Sequence, residues 1–429
     1  MRRKEFLRSI AFLTTAGFLA PNLKFKTERS FDEFKSELSQ IEPSDARFWR
    51  LVRGQFPIPK DYIYLNTGGL GSSPYVVSQR VKEEMDNLDR FPTPNHDIEK
   101  WWKIKEKFAN FLNCDKEEIA FVGCATEGIN IIVNGLPLKN GDEVILTTHE
   151  HVAGNLPLLN RAKRDGIVLK TFEPDTANWR GNLEMIEKLM TKKTRLIFVS
   201  HVTCTTGQRL PEKEICKFAK DKGIWVFLDG AQAPGMMPVN LREYNCDFYT
   251  TSGHKWLIGP KRTGILYVKK ELLDVVRPLT VGGYSDAGYS IEKNELKFQP
   301  SAQRFEYGTQ NPALFFGLET ALDFINAIGI ERIWEHNRAL AESFYQELLK
   351  IPEVEVLSPA DESFRTAMIT FKMKNLSYDK IVAHLAERRI RVRPVTEGNL
   401  MAVRVSFHLY NNEMDVAKIL AEVKNLAKS

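Results

Sequence analysis

From Tyr62 onward, short runs of β-branched and aromatic residues alternate with segments of helical length and period, and this alternation constrains the fold more than any other feature. Residues 62–65, 119–122, 143–147, 167–172, 195–200, 225–229, 248–252 and 265–268 read as strands. Stretches such as 153–164 and 212–222 read as helices between them. Parallel strands need long crossovers, usually helical. The pattern therefore predicts an α/β fold: a mostly parallel sheet covered by helices, with ligands gathered at the carboxyl ends of the strands. Beyond Gln310-Asn311-Pro312 the rhythm changes to a long helix over 313–350, strands near 354–357 and 367–373, and a helix near 378–388. Strands at 390–394 and 403–407 and a closing helix from Asn412 complete a smaller α+β domain. The chain thus divides into an arm over 25–60 that packs with the small domain, a large domain over 61–311 and a small domain over 312–429.

Composition narrows the function classes. A chain of 429 residues that is 43% hydrophobic has ample material for a core. Its 60 basic and 55 acidic residues leave a net charge of only +5 with no long basic run, which gives nucleic-acid binding no support. Five cysteines (Cys114, Cys124, Cys204, Cys216 and Cys246) form no CxxC pair and read as free thiols, mostly buried. At the N-terminus, Arg2-Arg3-Lys4 precedes Phe6-Leu7-Arg8 and an apolar stretch over 10–20. This segment, 1–24, resembles a twin-arginine export signal, which implies a periplasmic enzyme; the alternative is an ordinary amphipathic N-terminal arm on a cytoplasmic one. The apolar stretch is too short to be a permanent membrane span.

Two residues carry the chemistry. Asp229 ends an apolar strand, where a carboxylate is costly to bury without a cationic partner. Lys255 sits among small and apolar residues after another strand, where desolvation lowers its pKa and frees the amine as a nucleophile. A cofactor with a protonated pyridine nitrogen and an aldehyde answers both needs at once.

The pattern Asp229-x-x-Gln232, then Ser252-x-His254-Lys255, resembles the class V aminotransferase family, which includes cysteine desulfurases, selenocysteine lyases and isopenicillin N epimerases. The likeness runs from about Tyr62 to the C-terminus. It implies fold type I of the pyridoxal-5′-phosphate enzymes, with a seven-stranded, mostly parallel sheet. It also implies that Lys255 holds the cofactor as a Schiff base, Asp229 pairs with the pyridinium, Gln232 bonds the phenolic oxygen, and Ser252 and His254 bind the phosphate. Gly123-Cys-Ala-Thr-Glu-Gly-Ile-Asn130 is similar to the family's G-T-T-E-G-I-N turn, implying phosphate contacts at Ala125 and Thr126. Cys124 and Ala125 depart from that pattern, and read alone the segment is also an ordinary helix start.

Thr148-His-Glu-His-Val-Ala153 resembles the family's Glu-His segment, implying that His151 stacks on the ring face opposite Lys255, with His149 as the competitor for that role. Ser200-His-Val-Thr-Cys-Thr-Thr-Gly207 carries Cys204 where desulfurases have asparagine, and is closer to the H-V-T-x-x-T-G of the epimerase branch. Phe305-Glu-Tyr-Gly-Thr-Gln-Asn311 resembles F-E-x-G-T-x-N, implying that Thr309 reaches the phosphate of a neighbouring subunit and that the protein is a homodimer with shared sites. Val403-Arg-Val-Ser-Phe-His-Leu-Tyr-Asn411 implies that Arg404 grips a substrate α-carboxylate. Arg393, on an adjacent strand, is a candidate for a second carboxylate.

The resemblance implies chemistry at the α-carbon of an amino acid or amino-acid moiety, but epimerisation, transamination and carbon–sulfur cleavage share this machinery. Desulfurases carry a catalytic cysteine between the strands at 390 and 403, whereas this chain has Arg393-Pro-Val-Thr-Glu-Gly398, so persulfide desulfuration is not expected. No metal site is expected. A non-catalytic cofactor-binding protein is the reading from another class, and the presence of both Lys255 and Asp229 argues against it.

Overall fold

The computed structural model describes residues 30–93 and 97–428, so the export signal expected over 1–24 lies outside the described residues. Among the described residues, fifteen strands occur in chain order: β1 (Ile63–Tyr64), β2 (Ile119–Val122), β3 (Glu143–Thr147), β4 (Val168–Phe172), β5 (Thr194–Ser200), β6 (Trp225–Asp229), β7 (Phe248–Ser252), β8 (Gly264–Val268), β9 (Asp286–Ser290), β10 (Glu295–Phe298), β11 (Val354–Val356), β12 (Met368–Met373), β13 (Ile390–Arg391), β14 (Arg393–Val395) and β15 (Ala402–Ser406). The main sheet has seven strands in the order β2-β8-β7-β6-β5-β3-β4. All its pairings are parallel except those of β8, which runs antiparallel to both β2 and β7. No helical crossover separates β7 from β8, so β8 must return beside its predecessor, and that return carries Lys255.

The strands are apolar on both faces because helices cover both. Ile145, Ile197, Val199, Val226 and Leu228 pack into one core, while their neighbours Val144, Leu146, Leu196, Phe198 and Phe227 pack into another on the opposite face. Each such side chain contributes about 1.5–3 kcal/mol on burial. A third core underlies the antiparallel sheet β11-β12-β15-β14.

Domain edges differ from the sequence reading in two places. Strand β1 falls before the helices of the large sheet, yet it pairs in parallel with β13, and Ile63 and Leu65 pack in the third core. The helical span read as 313–350 is two helices, Pro312–Ile328 and Ile330–Leu348, meeting at 76°. Gly329, at φ +95°, takes a turn that a side chain would strain. The first of these helices packs into the large domain's core through Phe315, Leu318 and Phe324, on the far side of the boundary at 311. Its apolar face also receives the arm: Phe34 stacks on Phe324 at 5.0 Å, while Arg53 pairs with Asp415 at 2.7 Å and Trp49 stacks on His336 at 3.7 Å. The arm therefore bridges both domains. The hairpin β9–β10 was not legible from the pattern and leaves Tyr289 and Ile291 exposed. All five cysteines are free, with Cys204, Cys216 and Cys246 buried. Among the described residues no single helix is long and apolar enough to cross a membrane.

Candidate active site

The carboxyl ends of β3, β5, β6 and β7 open into a cavity of about 290 Å³ whose wall includes Ala125, Thr126, His151, Asp229, Gln232, Ser252, His254, Lys255, Arg393 and Arg404. Of the residues expected from the sequence, only Thr309 lies outside it. Thr309 is exposed on the segment after Phe305 and does not line the cavity of its own chain.

One end of the cavity is an anion site. The helix Ala125–Gly135 begins as soon as β2 ends, and the Ala125 amide donates to Ser252 Oγ at 3.1 Å, so the helix start and the Ser252 hydroxyl meet at one point. His254 Nδ1 is buried there without a partner. A phosphate supplies the acceptors these groups lack.

Lys255 is held by backbone on both sides. The Gly71 amide donates to the His254 carbonyl at 2.7 Å, and a Cβ on Gly71 would overlap the Lys255 carbonyl oxygen, so only glycine permits this approach. His408 Nε2 and the Trp256 carbonyl lie 3.0 Å apart on the other side. Burial depresses the Lys255 ammonium, although Asp229 partly restores it, which leaves a readily neutralised amine.

Asp229, 5% exposed, accepts only the Ala231 amide, at 2.9 Å, and forms no ion pair among the described residues. Burial raises its carboxyl despite Lys255. A pyridinium is the cation this carboxylate lacks. Gln232 donates from Nε2 to the Gly68 carbonyl at 2.9 Å, while its Oε1 accepts from Trp256 Nε1 at 2.8 Å. The indole thus fixes which way the carboxamide faces, and one Nε2 hydrogen remains for an oxygen such as the cofactor's phenolate.

The structure separates the two histidines. His151 caps the helix Val152–Asp165, its Nδ1 accepting from the Ala153 amide at 3.1 Å, and its ring lines the cavity. Burial, with Lys255 and Arg393 nearby, pushes it down to about 4, so the ring is neutral and free to stack. His149 is instead buried beside the cavity, with Nδ1 2.9 Å from Thr205 Oγ1.

Arg404 is fully buried on β15. Its Nη1 donates to the Cys204 carbonyl at 2.6 Å and its Nη2 to Asn66 Oδ1 at 3.2 Å, while Nε has no partner. Burial pushes the guanidinium down to about 9, still charged at neutral pH. No carboxylate among the described residues pairs with it, so the charge awaits an anion. Arg393, its cross-strand partner, differs: it is ion-paired with Glu397. Arg393 lines the same cavity, but with its guanidinium already engaged by Glu397 it is not a free cation there.

Three contributors escaped the sequence reading. Asn66, Gly68 and Gly69 bring the segment after β1 into the site, a role whose only signal was a glycine-rich run following a strand. Trp256 orients Gln232. Glu150 is fully buried behind His151, accepting from Thr147 Oγ1 at 2.6 Å, Ser200 Oγ at 2.5 Å and the Ser200 amide at 3.2 Å. It ties the ends of β3 and β5 together, and burial pushes its carboxyl up to about 7.

Comparison with known proteins places the chain in a family. The profile described as Aminotransferase class-V matches residues 91–419. A probable cysteine desulfurase of Pyrococcus abyssi is 29% identical over 88% of this chain and 97% of its own. The isopenicillin N epimerase of Amycolatopsis lactamdurans is 30% identical over 89% of this chain and 100% of its own. Among solved structures, the cystine C–S lyase C-DES superposes with a TM-score of 0.78 at 26% identity, covering 87% of this chain and 99% of its own, in complex with its product cysteine persulfide. Another structure of C-DES has glycine covalently linked to the pyridoxal phosphate cofactor. Desulfurases thus stand among the relatives, and the comparisons give no ground for setting desulfuration aside.

Proposed function

The chain belongs to the class V aminotransferase family of pyridoxal-phosphate enzymes, and from that premise we propose that it acts at the α-carbon of an amino acid in the manner of the epimerase branch. The observation that carries this reading is Arg404: a buried guanidinium with no anion of its own, lining the same cavity as Lys255 and Asp229. An α-carboxylate is the group that satisfies it. Ser252, His254 and the start of the helix Ala125–Gly135 would hold the cofactor's phosphate, Asp229 its ring nitrogen and Gln232 its phenolic oxygen. When bound, the cofactor supplies an electron sink for the α-carbon.

The protein's own residues then do the rest. Lys255 Nζ, its ammonium destabilised by burial, takes up the α-proton, and inversion requires a proton to come back on the opposite face. His151, neutral and positioned by the Ala153 amide, would cover the cofactor without adding a charge. Arg404 fixes the carboxylate, and with it the direction of the α-hydrogen.

Carbon–sulfur cleavage is the second reading, favoured by the likeness to the cystine lyase and by a loop between β14 and β15 that holds no cysteine to take up sulfur. Holoenzyme incubated with a panel of amino acids in deuterated water decides between them. Deuterium at the α-carbon with loss of chirality supports epimerisation, keto acid without ammonia transamination, and ammonia with pyruvate elimination. If no amino acid exchanges its α-hydrogen or releases product, the proposal fails.

The same reading includes a homodimer, supported by the exposure of Thr309 on the segment after Phe305. Monomeric holoenzyme with full activity would overturn that part. It also includes export directed by residues 1–24, which an unprocessed protein confined to the cytosol would contradict.

A further inference from the structure

We propose that Glu397 sets the side-chain charge this site accepts, by occupying Arg393 and so turning dicarboxylic amino acids away. The inference rests on the reading that Arg404 holds the substrate carboxylate.

Arg393 and Arg404 are directly opposed on β14 and β15, so their side chains share one face of the small sheet. Both converge on one atom: Arg404 Nη1 reaches the Cys204 carbonyl at 2.6 Å and Arg393 Nη1 reaches it at 3.3 Å. Like charges placed across a ladder in this way repel. Glu397 relieves the pair on one side only. Its Oε1 is ion-paired with Arg393 Nη2, and its Oε2 accepts from the Thr396 amide at 3.2 Å, so both carboxylate oxygens are engaged. Arg393 holds that carboxyl below the ordinary range in spite of its burial, which keeps it ionised at neutral pH.

The turn carrying Glu397 is fixed from beneath. Gly398, at φ +60°, lies so close to His149 that a Cβ would come within 2.8 Å of the ring, and that ring is in turn tied to Thr205. Glu397 therefore has a rigid seat. Arg404, Arg393 and Glu397 together amount to one net positive charge, which one α-carboxylate neutralises. A second carboxylate on the substrate side chain finds Arg393 already paired with Glu397, whose negative charge repels it.

The test compares isosteres on the full-chain holoenzyme, reading dissociation constants from the change in cofactor absorbance as amino acid is added. Wild type is expected to bind glutamine more tightly than glutamate. Glu397→Gln should lower the ratio of the glutamate constant to the glutamine constant about tenfold or more, with alanine changed less than about threefold. Wild-type preference for glutamate over glutamine, or a ratio that stays within about twofold in the variant, would overturn the proposal. Arg393→Gln gives an independent check, because it leaves Glu397 uncompensated and should worsen glutamate binding further; improved glutamate binding there also overturns it. A wild-type cofactor spectrum unmoved by every amino acid refutes the underlying substrate reading instead, so the two failures are distinguishable.

Discussion

Arg404→Lys is the substitution that bears most directly on the substrate reading. The side chain is fully buried, and two of its three nitrogens are committed to neutral acceptors, the Cys204 carbonyl and Asn66 Oδ1. What remains is a planar set of N–H groups able to take both oxygens of a carboxylate. Lysine keeps the charge but presents a compact ammonium, which cannot serve Cys204, Asn66 and a bidentate anion together. Losing one charge-assisted hydrogen bond of the pair costs about 2 kcal/mol, or roughly 30-fold in the dissociation constant. Arg404→Met removes the charge as well and leaves the substrate carboxylate unpaired in a buried site, at about 3–5 kcal/mol, which is roughly two to four orders of magnitude. The assay is titration of holoenzyme with an amino acid and with the amine that lacks its carboxylate, followed by cofactor absorbance. The amine controls for damage to the fold, since its binding owes nothing to Arg404. Equal weakening of amine and amino acid, or an Arg404→Lys protein within threefold of wild type on both, would refute the assignment.

Other consequences follow from buried titrating groups and tight turns. Glu150 has a folded-state pKa of about 7 against an ordinary 4.5, so the native state binds the extra proton: its contribution is fully present below about 4.5 and is lost as pH rises through about 7. Over that window wild type should lose about 3 kcal/mol relative to Glu150→Gln, seen as a variant-minus-wild-type difference in thermal midpoint that grows from pH 5 to pH 8; a pH-independent difference contradicts it. His151, pushed down to about 4, should show its ring titrating near that value by NMR of the holoenzyme, and a transition near 6.5 would mean the ring is not buried as described. Gly398→Ala puts a methyl group against His149 at a positive φ and should destabilise the loop by about 1–3 kcal/mol, measured as faster proteolysis between β14 and β15; unchanged proteolysis would show that the turn can shift.

Much of this was readable in the chain because the cause was local. Residues 119–122, 143–147, 225–229 and 248–252 are short runs of buried strand formers with turn residues at their ends, and they fold over those spans. Asp229 and Lys255 stood out because a charged group beside an apolar strand needs a reason. What could not be read has distant causes. Nothing near Ile63 announces that it pairs with Ile390, and nothing near Arg393 reveals that Glu397 folds back onto it or that His149 seats the turn between them. The long helix over 313–350 misled because Gly329 between two isoleucines looks tolerable in a helix until the bend is seen. Nothing in the sequence around Trp256 announces its role, which emerges only once the indole N–H is found on Gln232.

The contact between His408 and the Trp256 carbonyl has a geometric consequence. Lys255 rides on the return between two strands of the large sheet, while Arg404 rides on a strand of the small one, and these sheets belong to different cores. The amine and the guanidinium are therefore like the two jaws of a calliper. Residue 256 lies one step from the first jaw and residue 408 four steps from the second, so a 3.0 Å contact between them sets the gauge close to where it is read. On the proposed reading, an amino acid entering the site meets a separation between amine and guanidinium that the fold has set beforehand.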